Sequence, residues 1–309
     1  MATVIAQGPG KHVTYERFIA DGGAEFSDET ANATGLIWHD YHGPEELKKC
    51  LKANPQLLWV QLPFAGVDNF AELFEWISEN RPELQVTSAK GAYREPVAEH
   101  ALMLALALGR AIPARVRAGT WGGKFAVSMF DAEVLIYGGG GITEELVRLL
   151  TPFRAKITVL RRSPEPMNGV GQVLPSNELL GRLPFADFVF VTAALTDETR
   201  GVFDSTAFKA MKSSAFLINI ARGGHVVTED LIGALFAGAI GGAGVDVTDP
   251  EPLPDSSQLW KAPNTIITPH TADTPEMIQR LFGERIRVNV EAFSEGKPLV
   301  GTVDLGIGY

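Results

Sequence analysis

The stretch VLIYGGGGITEELVRLL sets Gly138 and Gly140 directly after an apolar run and directly before an amphipathic one. Glycine at those two places does physical work. The first permits a tight turn, and the second lets the backbone come close to a pyrophosphate. A helix opening at Gly141 and Ile142 would then offer unbonded N–H groups and the positive end of its dipole. The third glycine usual in such turns is missing, and Thr143 stands in its place. Its side chain either loosens helix–strand packing or brings a hydroxyl to the phosphate. Downstream, KITVL ends at Arg161, Arg162 and Ser163, with Arg161 23 residues after Gly138. NAD-binding turns carry an acidic residue at about that distance, which grips the ribose hydroxyls. Guanidinium groups there would instead pair with a 2′-phosphate. The expected cofactor is a dinucleotide, NADP(H) ahead of NAD(H).

A second set of residues recurs at the ends of apolar runs. Arg222 closes AFLINIAR, Asp246 closes GAGVDV, and His270 closes NTIITPH. Glu251 lies between them, pinned by Pro250 and Pro252. If the runs are parallel strands, all four residues fall at the carboxyl ends of the sheet, where ligands bind. A cation, a carboxylate and an imidazole in order on one rim point to catalysis.

The elements that would position these groups alternate regularly. Strands are expected at 35–39, 57–63 and 85–89, with helices at 43–54 and 70–82. A long helix is expected from Pro96 to Arg110. Further strands follow at 133–137, 156–160, 188–192, 215–219, 242–246 and 265–268, with helices between most of them. The tail from Pro275 reads as a long amphipathic helix. Such alternation predicts an α/β protein of two Rossmann-like, doubly wound parallel-sheet domains. Residues 96–274 would form a dinucleotide-binding domain inserted into a split substrate domain of 1–95 and 275–309.

Composition narrows the function classes. The chain has 309 residues, 45% hydrophobic and 21% charged, with a net charge of −10. That balance argues against nucleic acid, whose phosphates attract basic faces, and against a polybasic membrane anchor. The apolar run Ala101–Gly109 is too short to span a bilayer, and the N-terminus lacks the pattern of a signal peptide. One cysteine, Cys50, allows no disulfide framework and no cysteine metal site. His12, His39, His42, His100 and His225 lack metal-type spacing, so no metal is expected. These features fit a cytoplasmic protein.

The stretch 215–270 resembles the D-isomer-specific 2-hydroxyacid dehydrogenases in three motifs, NIARGGHVVTEDLIGAL, GVDVTDPEPLP and LWKAPNTIITPH. VQLPFAGVDNF and PVAEHALMLALALGR are similar to that family's substrate loop and interdomain helix. The resemblance implies roles. His270 would be the general acid that protonates a carbonyl oxygen while hydride reaches the carbon. Glu251 would orient His270 and favour its protonated form. Arg222 would clamp the substrate carboxylate. Backbone amides of Ala65, Gly66 and Val67 would cradle the same carboxylate. Asp246 would meet the nicotinamide carboxamide, with Thr192 and Ile220 lining the cofactor cleft.

The resemblance thus implies a reductase of small 2-oxo acids, of the glyoxylate or hydroxypyruvate kind, giving D-2-hydroxy acids. A homodimer is expected by analogy, with LWKAPN around Trp260 at the contact. Phosphoglycerate dehydrogenation is the alternative chemistry; with the sequence ending at Tyr309, the regulatory domain some of those enzymes carry is not expected. Formate oxidation is a further rival, and a non-catalytic nucleotide sensor is the rival of another class. Arg94 is either a hinge ion pair or a substrate contact. Asp273, where the family more often has a small residue, could perturb His270 or touch substrate.

Overall fold

The computed structural model describes residues 3–8, 15–39 and 43–306. His12 and His42, weighed above, lie outside the described residues. The chain divides into two compact units, residues 1–93 with 274–309, and residues 94–273.

The first unit carries five strands, β1 Val4–Gln7, β2 Glu25–Ser27, β3 Gly35–Ile37, β4 Trp59–Gln61 and β5 Gln85–Thr87. They pair in parallel in the order β2-β1-β3-β4-β5. Helices α1 (Glu16–Asp21), α2 (Pro44–Ala53) and α3 (Ala71–Asn80) connect them, and a terminal helix spans Pro275–Ser294. Helix α2 starts with Pro44 in its first turn and buries Leu47 and Leu51, one turn apart. Those leucines join Trp38, Val60, Phe70, Phe74 and Ile77 in one core. The terminal helix is tied to this sheet by a buried amide: Asn289 Nδ2 donates to Gln61 Oε1 at 2.8 Å. Asn289 Oδ1 accepts from the Val300 amide, also at 2.8 Å. A polar pair so deep must be satisfied internally, which is why the tail belongs to the sheet it is distant from in sequence.

The second unit opens with α4 (Arg94–Gly109) and α5 (Ile112–Val116). The alternation then runs β6 (Glu133–Tyr137), α6 (Gly141–Leu150), β7 (Lys156–Arg161), β8 (Gln172–Pro175), α7 (Leu179–Arg182) and β9 (Phe188–Val191). It continues with α8 (Ser205–Ala210), β10 (Phe216–Asn219), α9 (Thr228–Phe236), β11 (Gly242–Val245) and β12 (Thr265–Ile267). The sheet is parallel throughout, in the order β12-β11-β10-β9-β6-β7-β8. Every residue of β9, β10 and β11 is buried. Helices cover both faces, so these strands read as unbroken apolar runs rather than alternating ones. The chain leaves β6 in one direction through β7 and β8, then returns to the other side of β6 with β9. The crevice at the carboxyl ends of β6 and β9 is therefore the switch point of the sheet.

Two doubly wound parallel sheets are the architecture expected. Five elements were not: β1, α1, β2, α5 and β8. Each is short, and β8 is a half-exposed edge strand ending on Pro175. Helix α4 also begins at Arg94, two residues ahead of the expected Pro96. Proline is tolerated throughout a first turn, so it marks the start of a helix only to within a residue or two.

Candidate active site

Strand β6 delivers the glycine turn. Gly138 has φ +126°, and a Cβ there would stand 2.5 Å from the Ala193 amide and from Thr192 Oγ1. Only glycine fits. A Cβ on Gly140 would meet nothing within 4 Å, so the backbone there faces open space. Helix α6 begins at Gly141 with no side chain capping its first N–H groups, those of Gly141 and Ile142 among them. Open backbone and an uncapped helix start fit a diphosphate.

Thr143 turns its hydroxyl away from the open side of the turn. It is fully buried, and its hydroxyl donates to the Gly138 carbonyl at 3.0 Å and lies 2.8 Å from Thr192 Oγ1. The hydroxyl faces inward, onto the turn itself. Arg161, the last residue of β7, lies alongside. A Cβ on Gly139 would come within 2.7 Å of Arg161 Cδ and 3.0 Å of its Nε. Arg162 and Ser163 follow it and are exposed. The Arg161 chain thus passes beside the turn.

His270 and Glu251 come together. Nδ1 of the histidine is 2.6 Å from Oε1 of the glutamate, with about two-fifths of each side chain exposed. His270 has φ +50°, a left-handed conformation that costs a non-glycine residue about 1–2 kcal/mol. The surrounding bonds enforce it. The His270 amide donates to the Asp246 carbonyl at 2.8 Å and to the Thr268 carbonyl at 3.0 Å. The next two amides, Thr271 and Ala272, donate to the Asp246 carboxylate at 2.9 and 3.1 Å.

Asp246 is 2% exposed, and its carboxylate also accepts from Thr268 Oγ1 at 2.5 Å and lies 3.4 Å from His100 Nε2. Burial alone would push this carboxyl up. The bonds from His100, Thr268, Thr271 and Ala272 together outweigh it and hold the carboxyl below its ordinary value. Through these bonds Asp246 holds the segment that carries His270. His100 and Thr268 were not read as part of a site. The one available signal was a histidine at 100 in the otherwise apolar start of HALMLALALG.

Arg222 follows β10 through Ile220 and Ala221, both buried. Its carbonyl is fixed by Asn219 Nδ2 at 2.9 Å and faces His225 Nδ1 at 3.0 Å, and its Nη1 donates to the Ala221 carbonyl at 2.8 Å. His225 is fully buried and so is a framework residue of this turn. A side chain at Gly223 would collide with the Thr248 backbone, so the Arg222 turn sits directly on the loop leading to Glu251. Asp273 joins the group. Burial pushes its carboxyl up and Asp246 adds to this, while His270 and Arg222 oppose it. Arg222, His270, Asp246 and Asp273 thus share one electrostatic neighbourhood.

Five other residues were weighed for the site. Ala65, Gly66 and Val67 follow β4 in the first unit, with Ala65 exposed and Val67 buried. Arg94 reaches Glu144 at 4.0 Å, a loose pair on a half-exposed surface. Thr192, expected to line a cofactor cleft, uses its hydroxyl on Thr143 and on the Tyr137 carbonyl at 3.3 Å. Among the described residues no group of three His, Cys, Asp or Glu side chains could hold a metal ion, and no helix is long and apolar enough to cross a membrane.

A protein of Corynebacterium melassecola described as an uncharacterized protein in the proB 3′ region is 33% identical over 299 residues, covering 94% of this chain and 95% of that one. The glyoxylate/hydroxypyruvate reductase A of Serratia proteamaculans is 31% identical over 174 residues, 56% of this chain and 55% of that one. The chain thus spans about half the length of that reductase. A D-isomer specific 2-hydroxyacid dehydrogenase of Xanthobacter autotrophicus, solved in complex with NADPH and MES, shares the fold with a TM-score of 0.84 at 24% identity, over 100% of both chains. Residues 100–272, more than half of the sequence, match the NAD binding domain of one family, and the chain belongs to it: the D-isomer specific 2-hydroxyacid dehydrogenases.

Proposed function

We propose that this protein reduces a small 2-oxo acid of the glyoxylate or hydroxypyruvate kind to the D-2-hydroxy acid, with NADPH as the preferred cofactor. The observation that carries the reading is the 2.6 Å contact between Glu251 and His270, on the same sheet rim as the glycine turn. An imidazole whose Nδ1 faces a carboxylate is fixed in orientation, and its Nε2 is left to hand a proton to a carbonyl oxygen. The nicotinamide, when bound, supplies the hydride. Arg222 is the group for the acid's carboxylate, because a guanidinium matches a carboxylate bidentately and sets the carbonyl's orientation. The amides of Ala65, Gly66 and Val67 are proposed as further donors to that carboxylate.

Gly138, Gly140, Gly141 and Ile142 would hold the diphosphate. Arg161, with Arg162 and Ser163 beside it, would take the 2′-phosphate, which is the support for NADPH over NADH. The 31% identity to a glyoxylate/hydroxypyruvate reductase supports the substrate class. The test is a panel of 2-oxo acids with NADPH and with NADH, read by absorbance of the reduced nicotinamide. Turnover of glyoxylate or hydroxypyruvate with NADPH is expected. No oxidation with any acid would favour a nucleotide sensor, and a clear NADH preference would overturn the assignment to Arg161.

A further inference from the structure

Thr143 occupies the place where a dinucleotide turn usually has its third glycine, and it is 0% exposed. A hydroxyl taken wholly out of water must find partners inside the protein. Thr143 has two, and they belong to the two sides of the switch-point crevice. The Gly138 carbonyl, 3.0 Å away, is the turn after β6. Thr192 Oγ1, 2.8 Å away, is the first residue after β9. The Thr192 amide in turn donates to the Tyr137 carbonyl at 2.8 Å, and the Gly138 amide to the Leu160 carbonyl at 2.8 Å. The turn is therefore gripped from β7, from β9 and, through Thr143, from α6.

We propose that Thr143 is a positioning residue for the dinucleotide turn: its hydroxyl clasps the Gly138 carbonyl to Thr192 and holds the crevice in its binding shape before any ligand arrives. Glycine at this place serves close helix–strand packing but has no hydroxyl to offer. This chain gains the same end by a bond. A turn already in its bound conformation loses less freedom when the diphosphate enters, so the clasp acts on cofactor affinity rather than on the chemical step. The proposal rests on the cofactor reading above for its consequence, though not for the clasp itself.

Two measurements separate those parts. The first is amide hydrogen exchange over Tyr137–Thr143 in the ligand-free protein. Thr143→Val keeps the shape and deletes the hydroxyl, and exchange should quicken roughly tenfold, as loss of one buried hydrogen bond implies. The second is NADPH binding, followed by nucleotide fluorescence, with KM and kcat. NADPH affinity should fall about tenfold and its KM rise to match, with kcat little changed. Thr143→Ser should restore both readings. Thr192→Val removes the same bond from its half-buried end, serves if Thr143→Val does not fold, and should not add to it. Wild-type exchange in both valine variants, or a serine variant as weak as valine, would overturn the clasp. Quickened exchange in a protein that binds no NADPH would keep the clasp and sink the cofactor reading.

Discussion

Glu251 Oε1 meets His270 Nδ1 at 2.6 Å, between a glutamate flanked by prolines and a histidine in a left-handed backbone conformation. Both partners are held by their chains, so the contact does not depend on side-chain choice alone. His270→Ala is expected to lower kcat by about 10²–10⁴, the range for loss of a general acid, with NADPH binding nearly intact. Glu251→Gln should cost about 1.5 kcal/mol in kcat/KM, roughly tenfold, because the pair is partly solvated. Steady-state kinetics with titration of NADPH checks both. Unfolding of His270→Ala would make that residue structural.

Arg161 sets the second expectation. Arg161→Asp should reverse cofactor preference, weakening NADPH by about 2 kcal/mol, roughly thirtyfold, through loss of a charge-assisted contact. It should improve NADH by giving ribose hydroxyls an acceptor. The ratio of kcat/KM for the two nucleotides is the readout, and an unchanged ratio would move the phosphate site elsewhere.

Gly138→Ala should abolish dinucleotide binding. The new methyl would lie 2.5 Å from the Ala193 amide, at φ +126°, so the turn must open to admit it. Nucleotide titration by calorimetry checks this; binding within about threefold of wild type, less than 1 kcal/mol, would contradict it.

Asp246→Ala should strip acceptors from the amides of Thr271 and Ala272 and from Thr268 and His100. Several buried donors left without partners cost about 1–3 kcal/mol each. Thermal melting should show the loss of stability, and turnover should fall with it because His270 shares the freed segment. An Asp246→Ala protein with normal melting and normal kcat would mean that this network holds nothing.

His39 gives the acid dependence. Burial lowers its pKa from 6.5 to about 4, its ring stacks on Tyr15 at 5.2 Å, and its Nε2 is buried with no hydrogen-bond partner among the described residues. The folded state keeps this imidazole neutral where the unfolded state protonates it. Its stabilising contribution is therefore whole above pH 6.5 and is lost as pH falls towards about 4. His39→Phe should flatten the fall of melting temperature across that window. An equally steep fall would assign the acid lability to other groups.

The parallel sheets were legible because buried strands write themselves as apolar runs; FVFV and FLIN need no alternation to be seen. The short edge strand at Gln172 was not, because a half-exposed strand of four residues has no contrast with its surroundings. At the site, Glu251 and His270 announced themselves by their place after strands and beside prolines. Thr143 and Asp246 did not, for a shared reason. The sequence shows a side chain's type and spacing but not whether its polar atoms face a ligand or the protein's own backbone. Both turned inward, and only the partners across the fold, Thr192 in one case and Thr271 with Ala272 in the other, reveal it.

At Gly223, the Arg222 turn rests against the main chain of Thr248 with no room for even a methyl group between them. The Arg222 turn and the glutamate's loop are in effect one casting. Neither can be shimmed apart, so any remodelling of this rim would have to rework the walls around the block and leave the block itself alone.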